Sequence, residues 1–158
     1  MEHTAVLELL DQIPDPEIPV VSIREMGILR KVELKNNHCD VYITPTYTAC
    51  PAMAMIASDI EALLKSHGFK SVAVHTQLSP AWSTDWMSEG ARQKLRSFGI
   101  APPAHQACNS WALEVMQVNC PNCGSNNTSV ISKFGSTACK ALMRCEECLE
   151  PFDYFKCH

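Results

Sequence analysis

Four cysteines near the end of the chain have the spacing of a metal site. Cys120 and Cys123 form one Cys-x-x-Cys pair, Cys145 and Cys148 form a second, and 21 residues separate the pairs. Each pair lies in a run typical of turns, so each loop can offer two thiolates to one ion. Four thiolates satisfy the tetrahedral coordination that zinc prefers. The spacing therefore predicts one zinc bound by these four cysteines.

The segment that carries this quartet, residues 118–158, is too short to bury an adequate apolar core. Domains of this size depend on a metal or on disulfides, so we expect the zinc to be structural. Two alternatives remain open from the residues alone: paired disulfides, and a soft-metal site that accepts iron or an iron–sulfur cluster. The chain has nine cysteines in all, and the thiols left outside the quartet favour a reducing compartment.

Three further potential ligands lie in or beside the same segment: Cys139, Cys157 and His158. A tetrahedral zinc has its four ligands without them. Packing of a small side chain accounts for Cys139, and a frayed terminus accounts for the other two. The alternative is that Cys139 is an extra thiol ligand, or that these groups exchange ligands with an iron–sulfur cluster.

A second candidate site begins at Cys50, which directly precedes Pro51. Proline suits the first position of a helix, so the Cys50 sulfur is expected at a helix N-terminus. Unpaired N–H groups and the helix dipole there should favour the thiolate and lower the pKa of Cys50. The alternative is an ordinary buried thiol. Cys39 falls on the core face of a predicted strand, where we expect an inert thiol.

Two carboxylates flank Pro16 in the run from Asp15 to Pro19. A rigid turn of this kind orders its own loop through Asx-type hydrogen bonds or presents carboxylates to a metal. Turn formation is the favoured interpretation for Asp15. Glu17 is the less constrained group and the better functional candidate.

The elements that must position these residues follow from periodicity. An apolar stripe predicts a helix that starts after Thr4 and stops before Pro14. Ser22 to Glu25 has capping-box form and predicts a brief helix ended by Gly27. Two alternating runs then predict a hairpin that turns at Asn36-Asn37, with its inward face formed by five side chains: Val32, Leu34, Cys39, Val41 and Ile43.

The second half of this region repeats the pattern of helix and strand. A stripe after Pro51 predicts a long helix that ends at Gly68, and alternation from Val72 to Leu78 predicts a third strand. A further helix is predicted from about Trp86 to Phe98. The order helix, strand, strand, helix, strand, helix predicts an α/β fold, an α+β sandwich with helices on a small mixed sheet, followed by a C-terminal β-rich zinc ribbon.

The predicted domains are residues 1–104, a connector at 105–117, and the ribbon at 118–158. The net charge of −4 and the absence of a Lys/Arg cluster argue against a nucleic-acid surface. No stretch is apolar enough for a membrane span, and the start has no basic segment, so we expect a cytoplasmic protein. Glycine-rich nucleotide motifs and Glu-x-x-His elements are absent from the sequence, and it predicts no catalytic residue.

Five segments carry a family resemblance. Residues 15–19 and 43–51 resemble the SufT-like family of small iron–sulfur-assembly domains. Residues 79–86, 134–140 and 151–157 narrow the resemblance to the accessory proteins of the bacterial phenylacetyl-CoA epoxidase. The resemblance covers essentially the whole chain.

The resemblance implies an accessory protein of a multicomponent monooxygenase in phenylacetate degradation, not its oxygen-activating subunit. It implies that Glu17 and Cys50 are the functional positions, with Asp15 beside them. The implied role is to assist assembly or insertion of the iron–sulfur cluster of the reductase component. The resemblance leaves open whether this chain carries a transient cluster itself and whether general iron–sulfur assembly proteins are further partners. Two alternatives stay open: a structural or regulatory subunit of the epoxidase, and a thiol enzyme acting through Cys50, for which the sequence shows no positioned base.

Overall fold

The structure, a computed structural model, describes residues 2–47, 49–103 and 117–156. Packing divides the chain into two compact units: Met1–Trp82 with Trp86–Ser88, and Ser83–Asp85 with Glu89–His158. The predicted connector lies outside the described residues except for residue 117, as do Cys157 and His158. The domain limits at 104 and 118 therefore stay a prediction.

The first unit contains two helices and a three-stranded mixed sheet. Strands β1 (Leu29–Lys35) and β2 (His38–Ile43) form an antiparallel hairpin, and β2 and β3 (Ser71–Thr76) are parallel. The helix between β2 and β3 supplies the crossover that parallel pairing requires. The predicted order of elements is confirmed, with these bounds: α1 His3–Leu10, β1 Leu29–Lys35, β2 His38–Ile43, α2 Ala52–Ser66 and β3 Ser71–Thr76.

The hairpin places alternate side chains in the core, as the sequence predicts. Cys39, Val41 and Ile43 on β2 are fully buried, while Leu34 on β1 is only half buried. Asn36 turns the hairpin with φ 56°, a conformation that asparagine tolerates. Because side chains alternate along a strand, this register leaves the polar residues of β2 on the opposite face.

Helix α2 covers the inner face of the sheet. Its buried stripe consists of Ile56, Ile60 and Leu64, spaced by one helical turn, and it packs on β3 and against α1. The helix ends before Gly68, as predicted. In the described ranges, no helix is both long and apolar enough to span a bilayer.

The brief helix predicted from Ser22 is a hydrogen-bonded turn instead. The capping-box bonds are present: the Ser22 N–H donates to Glu25 Oε2 at 3.0 Å, and the Glu25 N–H donates to Ser22 Oγ at 3.1 Å. Gly27 follows with φ 73°, so the segment reverses before a full helical turn can repeat.

The second unit contains a four-stranded sheet in the order β4 (Ile100–Ala101), β7 (Pro151–Phe155), β6 (Lys140–Cys145) and β5 (Thr128–Ser132). The short strand β4 runs parallel to β7, and the other neighbours are antiparallel. Its helix, α3, starts later than predicted, after a 3-10 turn at Thr84–Trp86. The predicted β-rich ribbon is confirmed by strands β5 Thr128–Ser132, β6 Lys140–Cys145 and β7 Pro151–Phe155. Helix α3, Glu89–Ser97, and strand β4, Ile100–Ala101, precede the ribbon in the chain and belong to the same unit.

The core of this sheet is small and contains part of the cysteine quartet. Cys120 and Cys145 are buried in one apolar cluster with six other residues, namely Ala101, Val118, Ala141, Met143, Phe152 and Tyr154. The quartet is therefore continuous with the ribbon core, and loss of its geometry would expose that core.

Candidate functional site

The four cysteines of the quartet converge on one point. All their sulfur atoms lie within 4.8 Å of one another. The Sγ atoms of Cys120 and Cys148 are 3.8 Å apart, and those of Cys123 and Cys145 are 3.5 Å apart. No other cluster of this kind occurs among the described residues.

Backbone turns hold each pair in place. In the first knuckle, Gly124 N–H donates to the Cys120 carbonyl at 2.9 Å, and Cys120 N–H donates to the Ser125 carbonyl at 2.8 Å. In the second, Cys145 N–H donates to the Glu150 carbonyl at 3.0 Å, and Leu149 takes φ 64° to close the turn. Backbone hydrogen bonds therefore close both knuckles.

The thiols of the quartet titrate against one another. The N–H of Cys148, helped by that of Glu147, lowers the pKa of Cys145 to about 7. The Glu150 N–H lowers the pKa of Cys148, but burial and the neighbouring thiols outweigh it and raise that pKa to about 12. One thiolate forms readily and the later ones are resisted by like charge. A bound cation removes that resistance.

The donor set fits zinc. With Zn–S bonds of about 2.3 Å, a tetrahedral site separates its sulfurs by about 3.8 Å. The two sulfur pairs of the quartet stand close to that separation, at 3.8 and 3.5 Å. The arrangement is a candidate metal centre formed entirely by this chain.

Cys139 is not brought into the quartet. Its buried sulfur lies 3.0 Å from Thr137 Oγ1, and its carbonyl accepts the N–H of Lys156 at 2.9 Å. These contacts place it at the other end of β6 from Cys145. They agree with a packed thiol.

Cys50 lies one residue before the cap of α2, because Pro51 is the N-cap residue and Ala52 starts the helix. Its sulfur accepts the N–H of Ala52 and bonds to Tyr47. The prediction of a lowered pKa for Cys50 is nevertheless wrong. Burial raises the pKa of Cys50 above its ordinary value, and the negative charges of Glu17 and Asp15 raise it further. The helix N-terminus does not compensate for these effects.

That charge effect also shows that the two predicted loops meet. Charges act on one another over a limited range in salt solution, so Glu17 and Asp15 lie within electrostatic range of the Cys50 sulfur. Asp15 is buried, and its Oδ1 accepts the N–H groups of Glu17 at 2.8 Å and Ile18 at 2.9 Å. It therefore forms the turn predicted for it. Glu17 is partly exposed at the same turn.

Sequence reasoning missed a cluster on the outer face of the first sheet. Asp40 Oδ1 lies 2.7 Å from His75 Nε2 and 3.1 Å from His38 Nε2, and His75 stacks on Tyr42. These bonds lower the pKa of Asp40. His38 and Asp40 are two residues apart on one strand, a signal for a shared face, but the parallel strand brings His75 from 35 residues away.

Both regions of the chain match families of known proteins. Residues 3–76 match the family model described as iron–sulfur cluster assembly protein, and residues 105–156 match the PaaD zinc beta ribbon domain. Two solved structures have the fold of the first region: a domain of unknown function, DUF59, from Bacillus anthracis and a conserved hypothetical protein from Thermotoga maritima. Both are 27% identical, with TM-scores of 0.55 and 0.52. The matches cover 58% and 60% of this chain, and 89% and 94% of those chains.

These matches define the class, an iron–sulfur-assembly-type domain followed by a zinc ribbon. The chain is also 50% identical, over 94% of its length and 89% of the relative, to an Escherichia coli K12 protein provisionally named as a subunit of the 1,2-phenylacetyl-CoA epoxidase. The chain belongs to this PaaD family of phenylacetyl-CoA epoxidase subunits. The family resemblance drawn from the sequence is confirmed.

Proposed function

We propose that this protein is an accessory factor of the phenylacetyl-CoA epoxidase that assists assembly or insertion of the iron–sulfur cluster in the reductase component. The observation that carries the proposal is the meeting of the Cys50 thiol with the Asp15–Glu17 turn. That meeting occurs within the region that matches the iron–sulfur cluster assembly model. The name of the Escherichia coli relative supports the choice of complex.

The surroundings of Cys50 suit a cation better than a covalent substrate. Burial, together with the charges of two carboxylates, raises the pKa of the thiol and so favours its protonated form. The same carboxylates attract iron, and a metal displaces a proton from a thiol when it binds. Glu17 and Cys50 would therefore hold iron or a cluster transiently as cargo, while Asp15 orders the turn.

The thiol-enzyme alternative has less support for the same reason. A nucleophilic cysteine needs a lowered pKa or an adjacent base. The pKa of Cys50 is raised, and its neighbours are carboxylates and Tyr47. A thiol in this environment is poorly prepared to attack a CoA ester.

We assign a structural zinc to Cys120, Cys123, Cys145 and Cys148. The sulfur separations and the matching zinc-ribbon model support this assignment. Bound zinc would neutralise the four thiolates and hold the two knuckles together, so that the ribbon core stays buried. The ribbon would then serve as a stable platform, separate from the exchange of iron at Cys50.

The test is the cluster content of the reductase component in cells that lack this protein. We expect reductase polypeptide at its normal level but short of iron and sulfide, together with poor growth on phenylacetate. Re-expression of the wild-type chain should restore both. A fully loaded reductase in the deletion strain would contradict the maturation role.

The second candidate, a permanent subunit of the epoxidase, rests on the name of the relative, which describes it as a subunit. It predicts stoichiometric recovery of this chain with the purified active complex. A maturation factor should instead be absent from the mature complex or present well below one copy per complex.

A further inference from the structure

Two buried polar groups of the second unit lack partners, and both belong to residues that line one cavity. Arg92 Nε and the Tyr154 hydroxyl have no hydrogen-bond partner among the described residues. Arg92 and Tyr154 are 3% and 1% exposed. A buried donor left unpaired loses its hydrogen bonds to water without replacement, so such groups are uncommon without a ligand or water to satisfy them.

The Arg92 guanidinium is held rigidly but not neutralised. One terminal nitrogen donates to the Pro103 carbonyl, and the other donates to the Thr84 carbonyl at 2.8 Å. Both acceptors are uncharged. Buried arginines are normally paired with an acid, and Arg92 forms no ion pair within the described ranges. Its positive charge is therefore available to a ligand in the adjacent cavity.

The cavity has a volume of about 260 Å³. Arg92 and Tyr154 share its wall with Arg96, Gln117 and Asn119, and Glu89 is the only acidic side chain among the described residues that line it. Two guanidinium groups against one carboxylate leave a net positive wall on a chain whose overall net charge is −4. This local excess of positive charge opposes the general trend of the molecule.

We propose that this cavity binds a small oxyanion, either a phosphoryl or a carboxylate group. The volume is below the roughly 300 Å³ at which sites for organic ligands begin, so it suits a free anion or the end group of a larger molecule. Arg92 and Arg96 supply charge, and the buried Tyr154 hydroxyl would supply a neutral donor once a small shift of the wall exposes it to the anion. Arginine and hydroxyl donors are the usual partners of such groups.

The proposal is tested by calorimetric titration of the full-length, metal-loaded protein with inorganic phosphate and, separately, with acetate at matched ionic strength. We expect one saturable site for at least one of the two anions. Arg96→Gln should weaken that affinity about tenfold, because it removes a charge-assisted hydrogen bond. Arg144→Gln, which changes an exposed arginine that does not line the cavity, should leave the affinity unchanged.

Two further variants separate binding from folding. Tyr154→Phe should weaken anion binding without lowering the melting temperature of the free protein, since the hydroxyl has no partner to lose among the described residues. Glu89→Gln should tighten binding, because it removes the negative charge of the described part of the wall. Saturable binding that shows these changes supports the site. Absence of saturation with both anions, equal losses in Arg96→Gln and Arg144→Gln, or a clear fall in the melting temperature of Tyr154→Phe would overturn it.

Discussion

The two candidate sites place the same side chain in opposite surroundings. In the ribbon, four thiols lie against one another and against backbone N–H groups, and Cys145 ionises near neutral pH. In the first unit, the Cys50 thiol lies near two carboxylates and is held protonated. A site of mutually repelling thiolates calls for a permanent cation. A protonated thiol beside carboxylates can take up a cation and release it.

The cores of the two units also differ in whether they include metal-site cysteines. The first unit buries a continuous apolar stripe of α2 against the alternating face of β2, and none of the quartet lies in it. The ribbon core includes Cys120 and Cys145 themselves. We therefore expect the first unit to be stable without metal and the ribbon to depend on it.

The largest effect should follow from Cys123→Ser. This change removes one of four proposed zinc ligands, and structural zinc contributes on the order of 10 kcal/mol to small domains. The variant should lose its zinc, measured by elemental analysis. Its ribbon should unfold at a temperature well below the unfolding temperature of the first unit. The matched control is Cys139→Ala, a buried thiol outside the quartet, which should retain full zinc. A full zinc content and an unchanged melting temperature in Cys123→Ser would contradict the assignment of these four cysteines as zinc ligands.

A smaller loss should follow from Gly27→Ala in the first unit. Gly27 has φ 73°, and a Cβ there would lie 2.7 Å from the Cβ and carbonyl oxygen of Trp86. We expect a loss of about 3 kcal/mol in unfolding free energy with zinc content unchanged. Gly68→Ala is the control: it also has a positive φ but no neighbour within 4 Å, so it should cost only about 1 kcal/mol. Equal losses would show that the contact with Trp86 is not limiting.

The alkylation rate of Cys50 should depend on the charge of Glu17. Because Glu17 raises the pKa of Cys50, Glu17→Gln should lower that pKa and increase the alkylation rate at a fixed pH. The rate, followed by mass spectrometry as a function of pH, gives the pKa directly. Cys39 is the internal reference: burial raises its pKa to about 11, and it should be alkylated slowest. If Glu17→Gln left the pKa of Cys50 unchanged, the charge of Glu17 would not act on Cys50, and the two loops would not form one site.

The smallest effect concerns Asp40, whose bonds to His75 and His38 lower its pKa. A carboxyl with a lowered folded-state pKa contributes stability above its ordinary value of 3.8, and this is lost as pH falls through the lowered value. Urea unfolding followed from neutral to about pH 3 should therefore show a shallower acid decline in Asp40→Asn than in the wild type. Parallel declines would remove Asp40 from the acid response.

Local patterns allowed much of the fold to be predicted. Alternation identified the buried face of β2, and the spacing of the two knuckles identified the quartet, because both depend on neighbours in sequence. The pKa of Cys50 could not be predicted, since it depends on burial and on Glu17, whose loop is distant in the sequence. The unneutralised charge of Arg92 was equally hidden, because the two carbonyls that hold its guanidinium come from Thr84 and Pro103.

The central claim is that the Cys50 site handles iron while the ribbon holds zinc. It is tested most directly by measuring, in the same cells, the zinc content of a Glu17→Gln and Cys50→Ala double variant and the iron content of the reductase component. The account predicts full zinc in the variant and a reductase short of cluster iron at normal polypeptide level. A fully loaded reductase beside a folded, zinc-replete variant would contradict it.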